Sequence, residues 1–247
     1  MTKQHLTEIQ KLVEDKLKEK LKTYKAETSY TPFFSAIFPQ EVIVKASLMQ
    51  SLYTSFGMSI YEQMAVILAK QAGYHAERQY KLLGEIDRDT ANLIDDLCLN
   101  TKPDKDSEIA QIRSSIKPGN LLSDKESVVD VFIRRPDGSE LCVDITTVKP
   151  NLKEFRSMRK KLLRWVALRL SVDKNAQIDT RIGIPYNPYY PNDYLRWTGN
   201  ELTSKDLLVQ NDLWAAFAGY DVYSELIEAF EEVGKRLNSH LATSRLL

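Results

Sequence analysis

Two aspartates on facing arms of one segment carry the chemistry most readily identified in this chain. Asp130 and Asp144 lie in VVDVFIRRPDGSELCVDITT, whose apolar alternation around 136–138 predicts a β-hairpin with a three-residue turn. Arg135 then faces Ser139, and counting outward along both arms places Asp130 opposite Asp144. Opposed carboxylates repel each other unless a cation compensates, and Mg²⁺ binds such pairs. The sequence therefore predicts a Mg²⁺ site on one face of the hairpin.

The two faces of this hairpin differ in character because strand side chains alternate. One face is apolar throughout and is expected to pack on the core: Val129, Val131, Ile133, Leu141, Val143 and Ile145. The other face is expected to carry the site: Asp130, Phe132, Cys142, Asp144 and Thr146. The hairpin alone leaves one alternative open, namely a solvent-exposed face whose two aspartates bind no metal.

Composition narrows the class of protein. The chain has 247 residues, 43% of them apolar, which is enough for one large domain or two small ones. Two cysteines and three scattered histidines argue against a disulfide framework and against a zinc site. The polar N-terminus and the lack of a long apolar run predict a cytoplasmic protein without a membrane segment.

Charge is unevenly distributed although the net charge is zero. Residues 149–169 contain eight bases and one acid, whereas residues 85–108 contain eight acids and three bases. A local basic segment is what contact with a phosphate backbone requires. A solvated basic helix is the competing interpretation.

Helical periodicity and turn residues predict the elements that position these groups. Gly57 is expected to end one helix, and Ser59 to cap the next, with Glu62 as its capping-box acid. Residues 118–120 are expected to form a turn before the hairpin, and Pro150-Asn151 to start the basic helix. The other predicted elements are helices at 4–24, from after Pro39 to about 55, 60–72, 89–97 and 223–241, and a strand at 180–184.

The order of elements resembles the PD-(D/E)XK nuclease core: an acidic helix, one aspartate on each of two strands, and a basic helix after them. The segments DKESVVDVFIRRPDGSE, DITTVKPNLKEF, IPYNPYYPNDYLRW and YSELIEAFEEVG resemble type II restriction endonucleases of the TdeIII kind. The resemblance covers roughly residues 118–234, and it implies an α/β fold with a mixed sheet flanked by helices. A helical N-terminal region (1–58) for dimerisation or packing would precede the nuclease-like catalytic and DNA-binding domain (59–247).

The resemblance implies a role for each matching residue. Asp130 and Asp144 would bind Mg²⁺, with Glu62 bearing on the same metal directly or through water. The substrate would be double-stranded DNA with a palindromic GGNCC-like site, which implies a homodimer. The residues expected to face the DNA are Lys149, Lys153, Arg156, Lys160, Tyr186, Asn187, Tyr189 and Arg196. Asn187 suits adenine and Arg196 suits guanine, although phosphate contacts or a packed loop would explain the same residues.

One position departs from the family pattern. The signature has a lysine two residues after the second aspartate, where this chain has Thr146. Such a lysine orients the attacking water and offsets charge at the phosphate. Three explanations remain open: the lysine is lost and the protein binds without cutting, Lys149 or Lys153 replaces it, or threonine suffices with a second metal. Two alternative functions remain. The protein would bind DNA without cleaving it, or it would be a metal-independent structural or interaction protein.

Overall fold

The structure is a computed structural model that describes residues 1–25, 31–100, 102–117, 121–122, 128–146, 148–195 and 202–241. The chain divides into two compact units. The first unit comprises residues 1–64 and 222–247, and the second comprises residues 65–221. The C-terminal helix therefore groups with the N-terminal helices, whereas the sequence placed it in the nuclease-like domain. The functional division at residue 58 stays a prediction.

Helices build the first unit. Its elements are α1 (Lys3–Thr23), α2 (Pro32–Ser35), α3 (Gln40–Ser55), a π-helical segment (Phe56–Ile60), the start of α4 (Tyr61–Gln71) and α9 (Tyr223–Leu241). Helix α1 begins after Thr2, whose hydroxyl accepts the N–H of His5, and it packs along α9. The ion pair between Arg236 and Glu14, 2.9 Å apart, joins these two helices.

The predicted break at Gly57 and the predicted cap at Ser59 are wrong. Helix α3 continues through the π-helical segment into α4, so no new helix begins at Ser59. The amide of Gln63 donates hydrogen bonds to the backbone oxygen and hydroxyl of Ser59. Glu62 is therefore not a capping-box residue, and its side chain is buried.

A mixed five-stranded sheet organises the second unit. The large sheet comprises β1 (His75–Lys81), β4 (Val128–Arg134), β5 (Glu140–Ile145), β6 (Ile178–Ile184) and β7 (Leu207–Val209), in that order. Strands β1, β4 and β5 pair antiparallel, and β5, β6 and β7 pair parallel. Short strands β2 (Ile86–Asp87) and β3 (Leu121–Leu122) pair separately.

Among the described residues, four α-helices belong wholly to this unit: α5 (Arg88–Leu99), α6 (Lys105–Ser115), α7 (Leu152–Val172) and α8 (Asn211–Ala218). Helix α7 connects the parallel strands β5 and β6, because parallel neighbours require a crossover. Its capping box joins Asn151 and Glu154, which confirms the predicted start of the basic helix. The predicted mixed sheet flanked by helices is confirmed.

The hairpin face that carries the aspartates is more buried than the sequence indicated. All six residues of β5 are buried, and Phe132 and Cys142 pack in one apolar cluster with residues of α7. Burial raises the pKa of the Cys142 thiol, so this cysteine is an inert core residue. Both faces of the central strands are covered, as is usual when a crossover helix lies on a sheet.

Several elements were not predicted from the sequence. These are α2, β1, β2, β3, α6, α8, β7 and a 3₁₀ turn at Ser204–Asp206. The helices and strands that were predicted are present, with ends that differ from the predicted ones by a few residues. The predicted turn at 118–120 lies outside the described residues.

Candidate functional site

The predicted hairpin register is confirmed. Pairs run from Arg134 with Glu140 to Val131 with Val143, and the Arg135 N–H donates to the Ser139 carbonyl at 2.9 Å. Gly138 has a φ of 84°, the left-handed conformation that the three-residue turn requires.

Asp130 lies one residue beyond the last of these pairs. Its Oδ2 accepts the backbone N–H of Ile145 at 2.9 Å. The Asp130 carboxylate therefore reaches across to the strand that carries Asp144, at the residue directly after it. The structure thus brings the two predicted aspartates together.

A lysine from α7 contacts the second aspartate. Lys161 Nζ lies 2.7 Å from Asp144 Oδ1, and it also lies 5.0 Å from the ring centroid of Trp165 one helical turn later. The Asp144 side chain is 11% exposed and that of Lys161 is 27% exposed. The pair is therefore largely shielded from water, yet it remains open on one side.

Lys161 was not singled out from the sequence. It is one of eight bases in a dense basic segment, and no spacing relates it to Asp144. The signal that could have found it is its position on α7, because Met158, Leu162 and Trp165 flank it on the buried side of the helix. A lysine at the edge of an apolar stripe can extend its ammonium toward the sheet that the stripe covers.

Thr146 continues the strand beyond Asp144. Its backbone N–H donates to the carbonyl of Gly183 at 3.0 Å, so the chain stays extended at this point. Alternation then places the Thr146 side chain on the face of Asp144. Lys149 lies beyond the end of β5, so strand parity does not determine its direction, and its side chain is exposed.

The predicted DNA-facing bases occupy different surroundings. Lys149 Nζ lies 5.7 Å from the ring centroid of Tyr189, which belongs to a loop rich in tyrosine and proline at residues 185–195. Lys153 and Arg156 are exposed near the start of α7. Lys160 forms an ion pair with Asp95 of α5, with 2.6 Å between Nζ and Oδ1. The first three thus remain near the surface beside the hairpin end, whereas Lys160 also ties two helices together.

The aromatic loop, described over residues 185–195, is held by its own polar groups. Asn187 Oδ1 accepts the N–H of Tyr189 at 2.9 Å, and its Nδ2 donates to the Asn192 carbonyl at 2.8 Å. The Tyr194 hydroxyl donates to the Val148 carbonyl at 3.0 Å. The side chain of Asn187 therefore shapes the loop, Tyr186 is half-buried, and Arg196 lies outside the described residues.

Arg159 shows that the basic helix also has a structural side. Its guanidinium is buried and donates to Glu108 Oε1 at 2.5 Å and to the carbonyls of Leu97 and Asn100, both at 2.8 Å. These carbonyls lie at the C-terminal end of α5, where a positive charge is favourable. Arg159 therefore fixes α5 and α6 to α7.

The donor set at the hairpin fits a divalent cation. Carboxylate oxygens are the ligands that Mg²⁺ prefers, and two of them come from neighbouring strands here. Within the described part of the chain, no group of three or more histidine, cysteine, aspartate or glutamate side chains is close enough to hold a metal by itself. Glu62 belongs to the first unit and the aspartates to the second, so its metal role stays a prediction.

The comparisons with known proteins define the class. The chain is 26% identical over 228 residues to the type II restriction enzyme HgiCII of Herpetosiphon aurantiacus, covering 87% of this chain and 81% of that enzyme. It is 24% identical over 230 residues to HgiEI of the same organism, with the same coverage of both chains. It is 22% identical over 199 residues to MjaII of Methanocaldococcus jannaschii, covering 74% of this chain and 53% of that enzyme.

A family model described as type II restriction endonuclease, HinfI, matches residues 1–234. This protein therefore belongs to the HinfI family of type II restriction endonucleases. Restriction enzymes act on double-stranded DNA, and the family generally uses a divalent metal. Among the described residues, no helix is long and apolar enough to cross a bilayer.

Proposed function

We propose that this protein is a Mg²⁺-dependent type II restriction endonuclease with a PD-(D/E)XK core. It hydrolyses phosphodiester bonds in double-stranded DNA at a short palindromic site. The observation that carries the proposal is the hairpin register, because it places Asp130 beside Asp144 in a chain that belongs to a restriction endonuclease family.

Each residue of the site has a distinct task. Asp130 and Asp144 hold the metal, and Glu62 contributes a further carboxylate directly or through water. A bound Mg²⁺ supplies an activated water and offsets charge on the scissile phosphate. The N–H of Ile145 fixes one oxygen of Asp130, so that this carboxylate is positioned before any ion arrives.

The DNA-facing surface is proposed to run from the end of β5 to the aromatic loop. Lys149 and Tyr189 lie side by side there, which supports a surface that contacts both phosphate and base or sugar groups. The other proposed contacts are Lys153, Arg156, Lys160, Tyr186, Asn187 and Arg196. The internal hydrogen bonds of Asn187 favour a loop-shaping role, so the finer assignment of base readers rests on Arg196 and the tyrosines.

The target is proposed to be GGNCC-like, and the protein to be a homodimer whose two-fold axis matches that of the site. Both statements come from the finer resemblance to TdeIII-type enzymes. Half-sites related by a two-fold axis require two copies of the reading surface, and one chain supplies one copy.

Thr146 favours a second candidate function, a DNA-binding protein with this fold that does not cut. Threonine lacks the positive charge of the signature lysine, so that catalysis is impaired or lost unless another group compensates. Lys149 and Lys153 are the replacements nearest in sequence. Their exposure beyond β5 allows either ammonium to approach a bound phosphate.

The experiment is cleavage of a plasmid with many GGNCC sites in Mg²⁺, using the natural chain, Asp144→Asn and Thr146→Lys. Discrete fragments from the natural chain, abolished by Asp144→Asn, support the endonuclease. Fragments from Thr146→Lys alone support an impaired nuclease. If neither cuts although both bind duplex DNA, the binding protein replaces the endonuclease as the proposed function.

Metal dependence has its own test. Asp130→Ala is compared with the natural chain for duplex binding in Ca²⁺ and in chelator. We expect Ca²⁺ to strengthen DNA binding by the natural chain and to have no effect on Asp130→Ala. Equal binding by both chains, with or without Ca²⁺, would contradict the metal site.

A further inference from the structure

The contact between Lys161 and Asp144 places a positive charge at the proposed site although position 146 lacks one. The ammonium lies 2.7 Å from one carboxylate oxygen and is also held over the Trp165 ring at 5.0 Å. Trp165 is fully buried, so this ring is a fixed surface. Two contacts restrict a side chain that otherwise has considerable rotamer freedom, which orders the charge in advance.

Helix α7 delivers this lysine to the face on which the signature lysine would lie. Asp144 contacts α7 through Lys161, so the Asp144 side chain points toward that helix. Thr146 shares the face of Asp144 by strand alternation. A lysine at 146 would approach the carboxylate from the strand, and Lys161 approaches it from the helix above.

We propose that Lys161 replaces the missing signature lysine. Its ammonium contacts the scissile phosphate or the water that attacks this phosphate, and it offsets the negative charge of the phosphate. The proposal rests on the proposed nuclease function. It differs from the replacements expected from the sequence, because Lys149 contacts Tyr189 whereas Lys161 contacts a site carboxylate. A cation fixed in a largely water-excluded site stabilises developing charge far more than a solvated one.

The test compares single-turnover cleavage by the natural chain, Lys161→Met, Thr146→Lys and the double variant. Lys117→Met is the matched control, since Lys117 also pairs with an aspartate, Asp89, but both side chains are exposed. We expect Lys161→Met to cut about 100-fold more slowly or worse, Lys117→Met to cut normally, and the double variant to recover cleavage. A lysine at 146 can also restore an ion pair with Asp144, so cleavage is expressed per folded molecule after urea denaturation of each variant. Recovery of cleavage per folded molecule then reports the positive charge in the reaction.

Failure of this proposal is separable from failure of the proposed function. Equal cleavage by the natural chain and Lys161→Met would overturn the role of Lys161 and leave the endonuclease standing. Cleavage by Thr146→Lys but not by the natural chain would also overturn it, since Lys161 would then not compensate. If no variant cuts, including Thr146→Lys, the endonuclease and the role of Lys161 both fail.

A second measurement does not depend on activity. Ca²⁺ is titrated calorimetrically into the natural chain, Lys161→Met and Lys117→Met. Since Lys161 competes with a cation for Asp144, its removal should strengthen Ca²⁺ binding by roughly threefold to tenfold. Unchanged Ca²⁺ affinity would mean that the ammonium does not share this carboxylate with the ion, and the proposal would be wrong.

An independent observation concerns α3, whose faces are arranged opposite to those of an ordinary surface helix. Leu48 is its one buried residue. Its hydroxyl-rich side, including Ser47, Ser51 and Thr54, lines a groove with α1, and the Tyr24 hydroxyl donates to Ser47 Oγ at 2.6 Å. Val42, Met49 and Tyr53 lie on a different side of the helix and are exposed. A surface helix normally shows the reverse pattern.

The outward side chains of α3 have the spacing of a helix-pairing seam. Val42, Ala46, Met49 and Tyr53 are exposed and separated by four, three and four residues, as d and a positions of a heptad are. Four more exposed apolar side chains lie in and just after α2, next to the start of α3: Phe33, Phe34, Ile37 and Phe38. The flanking Glu41 and Lys45 form an ion pair at 2.8 Å, so the edge has no excess of one sign.

We propose that this surface of α2 and α3 pairs with the same surface of a second copy of the chain. Covering its exposed apolar side chains would remove roughly 800 Å² per copy, which is the size of a standard specific interface. A heptad seam without like-charged flanks is complementary to itself under two-fold symmetry. The inference stands whether or not the protein cuts DNA.

Sedimentation velocity over a concentration series tests this interface on the full chain. We expect the natural chain to be a dimer, Met49→Glu and Met49→Lys each to be monomers, and their mixture to recover the dimer through opposite charges. Leu99→Glu is the control at an exposed apolar residue of the second unit, and it should remain a dimer. A monomeric natural chain, or a Met49→Glu chain that still dimerises, would overturn the proposal.

Discussion

Arg159 and Lys161 are two residues apart on one helix but have opposite surroundings. Two positions along an α-helix correspond to about 200° of rotation, so the two side chains point to opposite sides of α7. Arg159 is buried against α5 and α6, where Glu108 and two backbone carbonyls accept its hydrogen bonds. Lys161 pairs with one carboxylate and keeps 27% of its side chain exposed.

Burial and the number of acceptors separate structural bases from functional ones in a basic helix. A buried guanidinium with several acceptors cannot reach a substrate. A partly exposed ammonium, such as that of Lys161 beside the Asp144 carboxylate, can reach one. Net charge counts both residues equally, so the charge of α7 overstates the surface available to DNA. Substitutions at both kinds of base test this distinction.

Arg159→Met should lower the free energy of unfolding by about 3–5 kcal/mol, because Glu108 would be left buried without its partner. Urea denaturation followed by circular dichroism measures the change. Lys153→Met, an exposed position on the same helix, should change stability by less than about 0.5 kcal/mol. A small effect of Arg159→Met would remove the contrast between the two sides of α7.

Lys161→Met should show the opposite balance. We expect a stability loss of about 1 kcal/mol, since the pair is partly solvated, alongside the roughly 100-fold loss of cleavage. Denaturation and single-turnover cleavage are measured on the same preparation. A large stability loss with unchanged cleavage per folded molecule would make Lys161 a structural residue like Arg159.

Asp87→Ala tests a structural carboxylate with no proposed role in the site. Asp87 caps α5 and accepts hydrogen bonds from the N–H and hydroxyl of Thr90, so its loss should cost about 1–2 kcal/mol. Burial alone would raise the pKa of Asp87, but bonds from Thr90 and Lys117 outweigh it and hold the pKa below its usual value.

The lowered pKa of Asp87 gives this prediction a pH dependence. Its stabilising contribution is present above the ordinary aspartate pKa and is lost as the pH falls through the lower folded value. The stability difference between the natural chain and Asp87→Ala should therefore be constant near neutral pH and shrink in acid below about pH 4. A difference that stays the same down to about pH 2 would contradict the hydrogen-bonded carboxylate.

Lys160→Met should have only a small effect on stability, below about 1 kcal/mol, because both side chains of its ion pair with Asp95 are exposed. It should weaken duplex binding and reduce the salt dependence of that binding if Lys160 also contacts a phosphate. Fluorescence anisotropy over a salt series measures both quantities. An unchanged salt slope would place Lys160 with Arg159 among the structural bases.

The hairpin shows how much local chemistry can predict. Pro136-Asp137-Gly138 determines the turn, the turn determines the register, and the register brings Asp130 to the strand of Asp144. Strand β1 was missed because HAERQYK lacks clean alternation and includes Gln79 at a φ of 50°. Helix α6 was missed because its sequence, KDSEIAQIRSS, carries few apolar residues.

Four features could be derived from neighbouring residues alone, because each depends on positions within a short segment: the hairpin, its register, the basic helix and the lack of a lysine at position 146. The fold was needed to show which basic side chains turn inward, that Lys161 reaches Asp144, and that Val42, Met49 and Tyr53 of α3 are exposed. These outcomes depend on which helix covers which face of the sheet. That choice is made by contacts between residues far apart in the chain, and local periodicity does not encode it.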